Sequence, residues 1–490
     1  MVSINDYFDD NAGDNFGDTA ALEKAMQAGS ITGRETANLP LTQEPLKIES
    51  LEKSLKMLEY KMTEIKLYNA VPKLKASNTV EEFLQLKSYG SDRGGFYNEG
   101  ELSETEDSTY VRKAEKVKYM QVTGEVTLQA QIVSSFLPAM QTEIKNKMMW
   151  ILKLANKSLV NSDEKLIPQQ FNSYYAQHAD FGYSGANYAN KDAYMTNEVV
   201  IDMRGKSLIK SSFEQGAVII DDNHGSSSHF FGPSKVFSAF VQDYNDKYRI
   251  LVDGKASSAT DILQDVPKMI ETTVGNISLN ADKFLKAEAS KKLTDVATSS
   301  KAPNAPTADG TTPKNVVSSA TNSKFQTGEA GNVIYAVSAF NRFGESALSV
   351  MGTAAAIVAG CGVDLKFTSG GGTYAATGYT VYRTKVGVAS TGDFYPIFKV
   401  SETDRAAGYD GGAANTVRDL GYFLPDMEQC FQTQMDDEVV SFKELAPISK
   451  LDLAVLAPSK RFIIFLFGTP HLYAPKKFVR YINVSRVYNP

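Results

Sequence analysis

Hydrophobic and polar positions near the carboxyl end of the chain form three short runs typical of β-strands. Pro458, then the sequence Gly468-Thr469-Pro470, then Pro475 set these runs apart. The first run, 461–467, is apolar at nearly every position, a pattern typical of a strand covered on both faces. We therefore expect the carboxyl end to complete a core that begins far upstream.

An amphipathic helix is predicted over 46–71 by apolar residues at helical spacing, and Pro72 lies at or just past its end. The apolar positions are Leu51, Leu55, Leu58, Met62 and Ile65. The preceding residues, 1–45, are rich in Asp, Asn, Gly and Thr. They predict an extended arm with little core of its own.

A wider apolar stripe predicts the strongest helix of the chain, over 132–161, with Ser134 or Ser135 as N-cap and Pro138 in the first turn. The stripe consists of Val133, Phe136, Leu137, Met140, Ile144, Met148, Ile151, Leu152 and Leu159. At 1.5 Å per residue, 138–161 spans about 35 Å. A helix of this length is expected to act as a structural spine.

Between these helices, 76–127 predicts a long β-hairpin with an acidic outgoing limb and a basic returning limb. The acidic residues are Glu99, Glu101, Glu104, Glu106 and Asp107, and the basic ones are Arg112, Lys113, Lys116 and Lys118. Few residues of this segment can fill a core, and a polar hairpin gains little by folding alone. We expect these nine residues to contact a neighbouring subunit. An ordinary solvated hairpin is the alternative.

The middle of the chain divides into two kinds of pattern. Residues 168–194 are aromatic and amide-rich with poor periodicity, which predicts a packed loop. Residues 197–300 alternate strand-like and helical runs and predict an α+β unit. Its expected strands are 199–203 and 217–221, and Pro233 is expected to open a helix.

A linker is predicted over 297–330 by its content of Pro, Ala, Ser and Thr. Strand-like runs then continue to about residue 425. Tyr335, Val337 and Ala339 face one way, and Asn341 with Gly344 predicts the following turn. This strand and turn resemble those of fibronectin type III or immunoglobulin-like domains, so we expect a small β-sandwich.

Composition bounds the class of protein. The 490 residues predict two to four domains, and 42% hydrophobic with 22% charged residues is typical of a globular chain. A net charge of −6 gives no support to a basic chain that seeks nucleic acid. Cys361 and Cys430 are interpreted as buried, reduced thiols in a reducing cytoplasm. The acidic N-terminus lacks a signal core, and no apolar run approaches the roughly 18 residues of a membrane span.

Candidate chemistry is sparse. His224 and His229 lie near two carboxylates and three serines, which suggests a metal site or a Ser/His/Asp arrangement, but a flexible polar loop is the preferred interpretation. The glycines at 370–372 lack the Gly-Lys-Ser/Thr of a phosphate loop and predict a turn. A basic cluster interleaved with Phe478 and Tyr481 suggests a nucleic-acid surface, although pairing with acidic neighbours is favoured. This cluster consists of Lys476, Lys477, Arg480 and Arg486. We expect no enzyme activity, cofactor or metal.

Three separated blocks carry a resemblance to a known family. The first, 41–122, contains Glu49-Ser-Leu-Glu-Lys-Ser-Leu-Lys and Gly94-Gly-Phe-Tyr-Asn-Glu-Gly-Glu-Leu-Ser-Glu-Thr-Glu-Asp. The second is the predicted spine helix. The third, 448–486, contains Phe467-Gly-Thr-Pro-His-Leu-Tyr-Ala-Pro-Lys-Lys-Phe. Together the blocks resemble the major capsid proteins of tailed bacteriophages.

The resemblance implies an α+β fold of the Hong Kong 97 type with an inserted immunoglobulin-like β-sandwich. Its parts would be an N-terminal arm (1–45), a helical region (46–75), an extended loop (76–127), a peripheral domain with the spine helix (128–200), an axial domain (201–300), a linker with the sandwich (301–425) and returning strands (426–490). The order of these segments is similar to that of the shell fold.

The resemblance also implies a function and partners. Copies of the chain would form hexamers and pentamers of an icosahedral shell through contacts that close into rings. The shell would be assembled in the host cytoplasm, enclose double-stranded DNA without sequence-specific binding, and meet scaffold, portal and decoration proteins but no membrane.

Three other classes of protein stay open at this point. A phage tail or surface-adhesion protein would form tubes or small oligomers. An encapsulin-like compartment would share the fold but package an enzyme. A hydrolase built on the loop of His224 and His229 is the last of these alternatives.

Overall fold

The computed structural model describes residues 62–90, 96–102, 105–132, 139–181, 199–247, 268–287, 299–308, 315–388, 393–454 and 458–489. The predicted arm (1–45), most of the first predicted helix and the expected N-cap of the spine helix lie outside the described residues. In the described part, the helices do not include one with the length and apolar character of a membrane span.

Helices and strands alternate along the described chain in an α+β arrangement, which is the predicted class. The α-helices are α1 Leu67–Ala70, α2 Leu128–Ile132, α3 Ala139–Asn161, α4 Tyr174–Phe181, α5 Lys210–Asp222, α6 Ser234–Lys247 and α7 Glu402–Ala407. Short 3-10 helices occur at Met62–Glu64, Thr327–Glu329 and Pro475–Lys477. The first ten strands are β1 Lys73–Lys75, β2 Val80–Ser88, β3 Thr109–Lys116, β4 Lys118–Thr127, β5 Val200–Asp202, β6 His229–Gly232, β7 Met269–Thr272, β8 Gly275–Ala281, β9 Thr307–Ala308 and β10 Asn315–Ser319. The others are β11 Gly331–Val333, β12 Tyr335–Asn341, β13 Gly344–Glu345, β14 Ser349–Val350, β15 Ala355–Ile357, β16 Cys361–Thr368, β17 Gly378–Arg383, β18 Tyr395–Ser401, β19 Thr416–Asp419, β20 Glu428–Thr433, β21 Val440–Asp452, β22 Ser459–Leu472 and β23 Phe478–Val484.

A four-stranded sheet in the order β1-β21-β22-β4 joins the carboxyl end to residues far upstream. We call it the long sheet. Strand β22 pairs antiparallel with β21 from Leu472 to Phe462 and with β4 from Gly468 to Ser459. The predicted closure of an upstream core by the last strands is therefore present in the structure.

The spine helix α3 packs against β4 and β22 of the long sheet. Ile151, Leu152, Ala155 and Leu159 are buried at one-turn spacing, as the apolar stripe predicts. Its observed extent, Ala139–Asn161, agrees with the predicted spine. A buried Asp282 carboxylate accepts hydrogen bonds from the Asn156 amide (2.9 Å) and from two backbone N–H groups at the start of α1, and so joins three distant segments.

A second sheet has six strands in the order β5-β23-β20-β6-β8-β7. Helices α5 and α6 contribute to its core, where Phe213, Ala217, Phe230, Phe240 and Tyr481 are buried. Pro233 precedes α6 as predicted. Residues 217–221, however, belong to helix α5 and not to a strand. Phe213, Ala217 and Ile220 recur at helical spacing, and only the packing of that face on the sheet distinguishes this run from a strand.

Strands β9 to β19 form two larger sheets, β10-β16-β19 with β9 and β13-β12-β17-β18 with β14, around one apolar core. We call this region the all-β unit. Tyr335, Val337 and Ala339 share that core as predicted, and Asn341 opens the turn by accepting hydrogen bonds from two following N–H groups. Its immunoglobulin-like identity stays a prediction.

Part of the predicted linker is strand. The segment 297–330 contributes β9 and β10, and both pair antiparallel with β16. These strands show little apolar alternation, since Val317 is 37% exposed and Asn315 is buried. Their pairing depends on β16, which lies more than forty residues further along the chain, so local composition does not reveal it.

Two further expectations differ from the structure. The aromatic segment 168–194 contains helix α4, where Tyr174 is fully buried and donates to the Ser441 carbonyl. Strand β22 also continues through Gly468 and Pro470 instead of turning there. Its pairing with β4 ends at Gly468, so Pro470 lies where the strand has lost one neighbour and needs no donor on that side. A Cβ at Gly468 would come within 2.6 Å of the Lys443 carbonyl, which explains the glycine.

Candidate assembly surface

Strands β2 and β3 form the predicted antiparallel hairpin, with Val80 opposite Lys116 and Leu86 opposite Tyr110. One face is anchored to the end of the long sheet. The Phe83 ring lies 4.9 Å from the Tyr473 ring, and Gln85 donates to the Tyr473 carbonyl. Lys443 pairs with the Glu81 carboxylate at 3.0 Å. The base of the hairpin is therefore fixed on the subunit.

The other face of the hairpin is exposed, although many of its residues are apolar. Leu84 is 70% and Tyr110 62% exposed. In the segment that joins the strands, Tyr89 is 86%, Phe96 99% and Leu102 94% exposed. Exposed apolar side chains gathered on one element are typical of a surface that is covered in an assembly. We call this exposed face, together with residues 89–108, the hairpin tip.

The acidic residues lie in the hairpin tip and not along the outgoing strand. Glu99 and Glu101 precede the returning limb, and Glu106 and Asp107 come immediately before β3. Glu104 lies outside the described residues. The Asn98 N–H donates to the Glu101 carboxylate at 2.9 Å, which lowers the pKa of that exposed group. The predicted acidic limb is therefore an acidic connection, because the outgoing strand contains only Glu81 and Glu82 as acids.

The basic candidates have contacts within the subunit. Arg112 pairs across the hairpin with Glu82. Lys118 is 8% exposed, and its ammonium lies 2.9 Å from the Glu164 carboxylate and donates to the Pro168 carbonyl. Lys116 lies 3.9 Å from the same carboxylate. Lys113 lies between them on β3 and is half-buried. The lysines therefore contribute to the base of the hairpin, whereas the described acidic residues lie in the connection between its two strands.

An acidic group is also half-buried at the base of the hairpin. Glu115 accepts two hydrogen bonds of 3.1 Å from the Asn172 amide. Burial raises the pKa of Glu115 to about 7, and the nearby Glu164 and Asp180 charges add to the increase while the Asn172 hydrogen bonds oppose it. The protonation of this carboxyl group therefore changes near neutral pH.

The outer face of the long sheet is a second partly exposed apolar surface. Phe462, Ile464 and Leu466 of β22 are fully buried, whereas Ile463, Phe465 and Phe467 are only partly covered. The Phe467 ring packs on Phe465 and on Tyr119, each at 4.9 Å, and Tyr119 is 55% exposed. The expectation of a strand covered on both faces is thus only half fulfilled within the described residues.

The other sequence candidates do not converge on a site. His224 lies in the loop after α5, whereas His229 starts β6 and its Nδ1 lies 2.9 Å from the Ser228 hydroxyl. The described residues include no group of three or more His, Cys, Asp or Glu side chains that could hold a metal ion. Cys361 and Cys430 are both buried free thiols.

The basic carboxyl-terminal residues are likewise dispersed. Arg480 is buried beneath the ring of Tyr175 at 4.2 Å, and Arg486 pairs with Asp426. They do not form a common basic surface. Sequence reasoning missed the exposed apolar residues of the hairpin tip and the buried Arg480. The isolated Phe96 and Leu102 in a glycine- and acid-rich segment were the available signal for the tip.

A known protein is similar to this chain along most of its length. No family model matches the chain. It is 22% identical over 445 residues to a protein of Enterococcus phage phiEF24C described as a putative major capsid protein, and this covers 90% of each chain. The resemblance to major capsid proteins of phages is thereby confirmed.

Several solved structures are also similar to the chain. The capsid of a native GTA particle is 8% identical and covers 93% of this chain and 99% of that chain, with a TM-score of 0.42. The structure described as Mycobacterium phage Adephagia is 8% identical and covers 93% and 100%, with a TM-score of 0.42. The holo-SrpI encapsulin complex of Synechococcus elongatus PCC 7942 is 6% identical and covers 89% and 94%, with a TM-score of 0.42.

Proposed function

We propose that this protein is the major capsid protein of a tailed bacteriophage, with a shell fold of the Hong Kong 97 type. Its copies assemble into hexamers and pentamers of an icosahedral shell that encloses double-stranded DNA. The observation that carries the proposal is the similarity to a putative phage major capsid protein over 90% of both chains. Because the match covers 90% of both chains, it relates the two proteins along most of their length and not through one shared domain.

The exposed surfaces of the subunit support self-association. A soluble monomer rarely exposes a row of large apolar side chains on one projecting element. Here the hairpin tip exposes Leu84, Phe96, Leu102 and Tyr110, and its base is held firmly by β21 and β22. A fixed base with an apolar and acidic end is suited to reach a neighbouring copy. Repetition of one such contact around a ring closes capsomers.

Many weak contacts suffice for a stable shell. Each subunit of a shell meets several neighbours at once, so its contacts act together even where each is weak. The proposed role is structural and requires no catalytic residue. The host cytoplasm as the place of assembly, and scaffold, portal and decoration proteins as partners, belong to the same proposal.

The test is expression of the full chain followed by electron microscopy of the purified particles. We expect closed shells or capsomer rings with fivefold and sixfold symmetry, with co-expression of a scaffold where the chain alone stays unassembled. Straight tubes or small oligomers under both conditions would contradict the proposal in favour of a tail or adhesion protein. Closed shells that retain a host enzyme and exclude DNA would instead identify an encapsulin-like compartment.

A further inference from the structure

A cavity of about 240 Å³ lies between the all-β unit and the rest of the subunit. One side is formed by the end of α3, by α4 and by β23, including Asn161, Tyr175 and Arg480. The opposite side comes from β17 and β18 of the all-β unit, including Thr380 and Phe398. The cavity is therefore shared by two parts of the fold that have separate apolar cores.

Arg480 is the unusual residue of this cavity. Arg480 is only 9% exposed. Its guanidinium stacks on the Tyr175 ring at 4.2 Å and donates a hydrogen bond to the side-chain amide oxygen of Gln429. Within the described part of the chain it has no ion pair, and its Nε has no hydrogen-bond partner. A buried charge without a counter-charge is strongly unfavourable.

A second buried arginine in the same protein shows the usual solution. Arg383 is 2% exposed, and its guanidinium lies 2.7 Å from the Asp419 carboxylate. That carboxylate also accepts a hydrogen bond of 2.8 Å from the Tyr335 hydroxyl. The contrast between the two arginines indicates that the counter-charge of Arg480 comes from outside the described residues.

Two neutral groups at the same cavity are unsatisfied as well. The Asn161 amide nitrogen and the Thr380 hydroxyl are buried without a hydrogen-bond partner, and both residues line the cavity. Buried polar atoms are normally paired, so three unpaired groups around one cavity indicate a missing acceptor. Asp163, the acidic residue that lines the described wall, accepts the Lys165 N–H at 2.8 Å.

We propose that this cavity binds a small organic anion whose carboxylate pairs with the Arg480 guanidinium and whose apolar part lies against Tyr175, Phe398 and Phe423. The planar guanidinium matches the two oxygens of a carboxylate. The aromatic walls favour an apolar body over a bare inorganic anion. A ligand in this position would also join the all-β unit to the spine helix.

The experiment measures thermal unfolding and calorimetric binding of the full chain with benzoate or hexanoate, and with inorganic phosphate at the same ionic strength. At a carboxylate concentration of ten times Kd, the Tm of the unmodified protein should rise by about 1–2 °C. Arg480→Met should abolish the rise in Tm. Arg480→Lys keeps the positive charge but loses the planar guanidinium that binds both carboxylate oxygens, so it should reduce the rise in Tm. Arg461→Met, at an exposed arginine that pairs with Glu125, should leave the shift intact.

Stability without ligand provides an independent readout. Arg480→Met removes an uncompensated charge and should leave the Tm unchanged or higher. Arg383→Met leaves the buried Asp419 carboxylate without its counter-charge and should lower the Tm. Absence of a carboxylate effect on the unmodified protein, an equal effect of phosphate, or an undiminished effect in Arg480→Lys and Arg480→Met would each overturn the proposal. A lower Tm of unliganded Arg480→Met would show that the charge already has its partner.

Discussion

The hairpin and the all-β unit are both built of antiparallel strands, but they are stabilised in different ways. In the all-β unit, every residue of β17 and nearly every residue of β12 is buried, and the core includes Tyr335, Phe367 and Tyr379. In the hairpin, no residue of β3 is buried, and Phe96 at the tip is 99% exposed. The all-β unit carries its own core, whereas the hairpin has only the anchor at its base.

This difference separates two uses of apolar residues. Phe367 stabilises the subunit, because its burial removes apolar surface from water during folding. Phe96 cannot do so, because it remains in contact with water in the free subunit. A comparable gain from Phe96 requires contact with another molecule. The hairpin should therefore affect assembly and the all-β unit should affect folding.

The same substitution in both regions gives the largest expected contrast. Phe367→Ala should lower the free energy of unfolding by about 3–5 kcal/mol, because Phe367 is fully buried and its ring packs on Tyr379 at 5.0 Å. Phe96→Ala should change it by less than about 0.5 kcal/mol. Urea unfolding of the unassembled subunit measures both values. Equal losses in the two variants would mean that the hairpin tip is already packed within the subunit.

The base of the hairpin should show an intermediate effect that depends on pH. Burial raises the pKa of Glu115 to about 7, so the unfolded chain releases this proton at lower pH than the folded one. The contribution of Glu115 to stability should therefore be largest below about pH 4.5, fall as the pH rises towards 7, and then level off. The expected decline from this group is about 1–3 kcal/mol.

Glu115→Gln should flatten that decline, and urea unfolding between pH 5 and pH 8 measures it. Glu125→Gln is the matched control, since the Glu125 side chain is exposed and its pKa is lowered by hydrogen bonds from Ser459 and Arg461. This control should retain the decline of the unmodified protein. A Glu115→Gln profile that keeps the full pH dependence would place its origin elsewhere.

Charge reversal in the hairpin tip should have the smallest effect on folding and the clearest effect on assembly. Replacement of Glu104, Glu106 and Asp107 by lysine should leave the unfolding free energy within about 0.5 kcal/mol. Glu106 and Asp107 are exposed, and exposed charges contribute little to stability. It should nevertheless block shell formation. Lysines in the hairpin tip would repel the basic groups of the neighbouring copy that the acidic residues are proposed to meet. Electron microscopy and sedimentation measure the fraction of assembled subunits.

A control for net charge is available on the same chain. Asp221, Asp222 and Glu271 are exposed and lie on the α+β region around the six-stranded sheet. Their replacement by lysine changes the net charge by the same amount. Normal particles from the tip variant, or equal losses in both variants, would refute a bridging role of the acidic tip.

Much of the architecture could be predicted because it depends on local patterns. The helical spacing of apolar residues such as Ile151, Leu152 and Leu159 predicted the spine helix. The alternation of Tyr335, Val337 and Ala339 predicted the inner face of β12. Each pattern follows from the period of its own element. The hairpin was also predicted, because a glycine-rich segment is followed by an acidic run and then by a basic run.

Other features could not be predicted because they depend on distant partners. The apolar run at 217–221 is typical of a strand and also of a buried helix. The packing of α5 on the six-stranded sheet shows that it is part of a helix. Strand β22 can include Pro470 because β4 begins at Lys118, opposite Gly468, and leaves Pro470 without a neighbour on that side. No local pattern indicates this. The burial of Lys118 beside Glu164 likewise depends on a segment more than forty residues away, which the basic run itself does not indicate.

The sequence by itself determined the α+β class, the spine helix, the hairpin and the similarity to phage major capsid proteins. These follow from periodicity, turn residues and similarity along the chain. Only the tertiary structure decided which apolar residues remain exposed and which charges remain unpaired. Leu84 and Phe83 are neighbours in one strand, yet one faces water and the other packs on Tyr473. Arg383 and Arg480 are both buried, yet only the first meets a carboxylate within the described chain. Burial and pairing are properties of contacts between distant segments, and the order of residues alone does not state which segments meet.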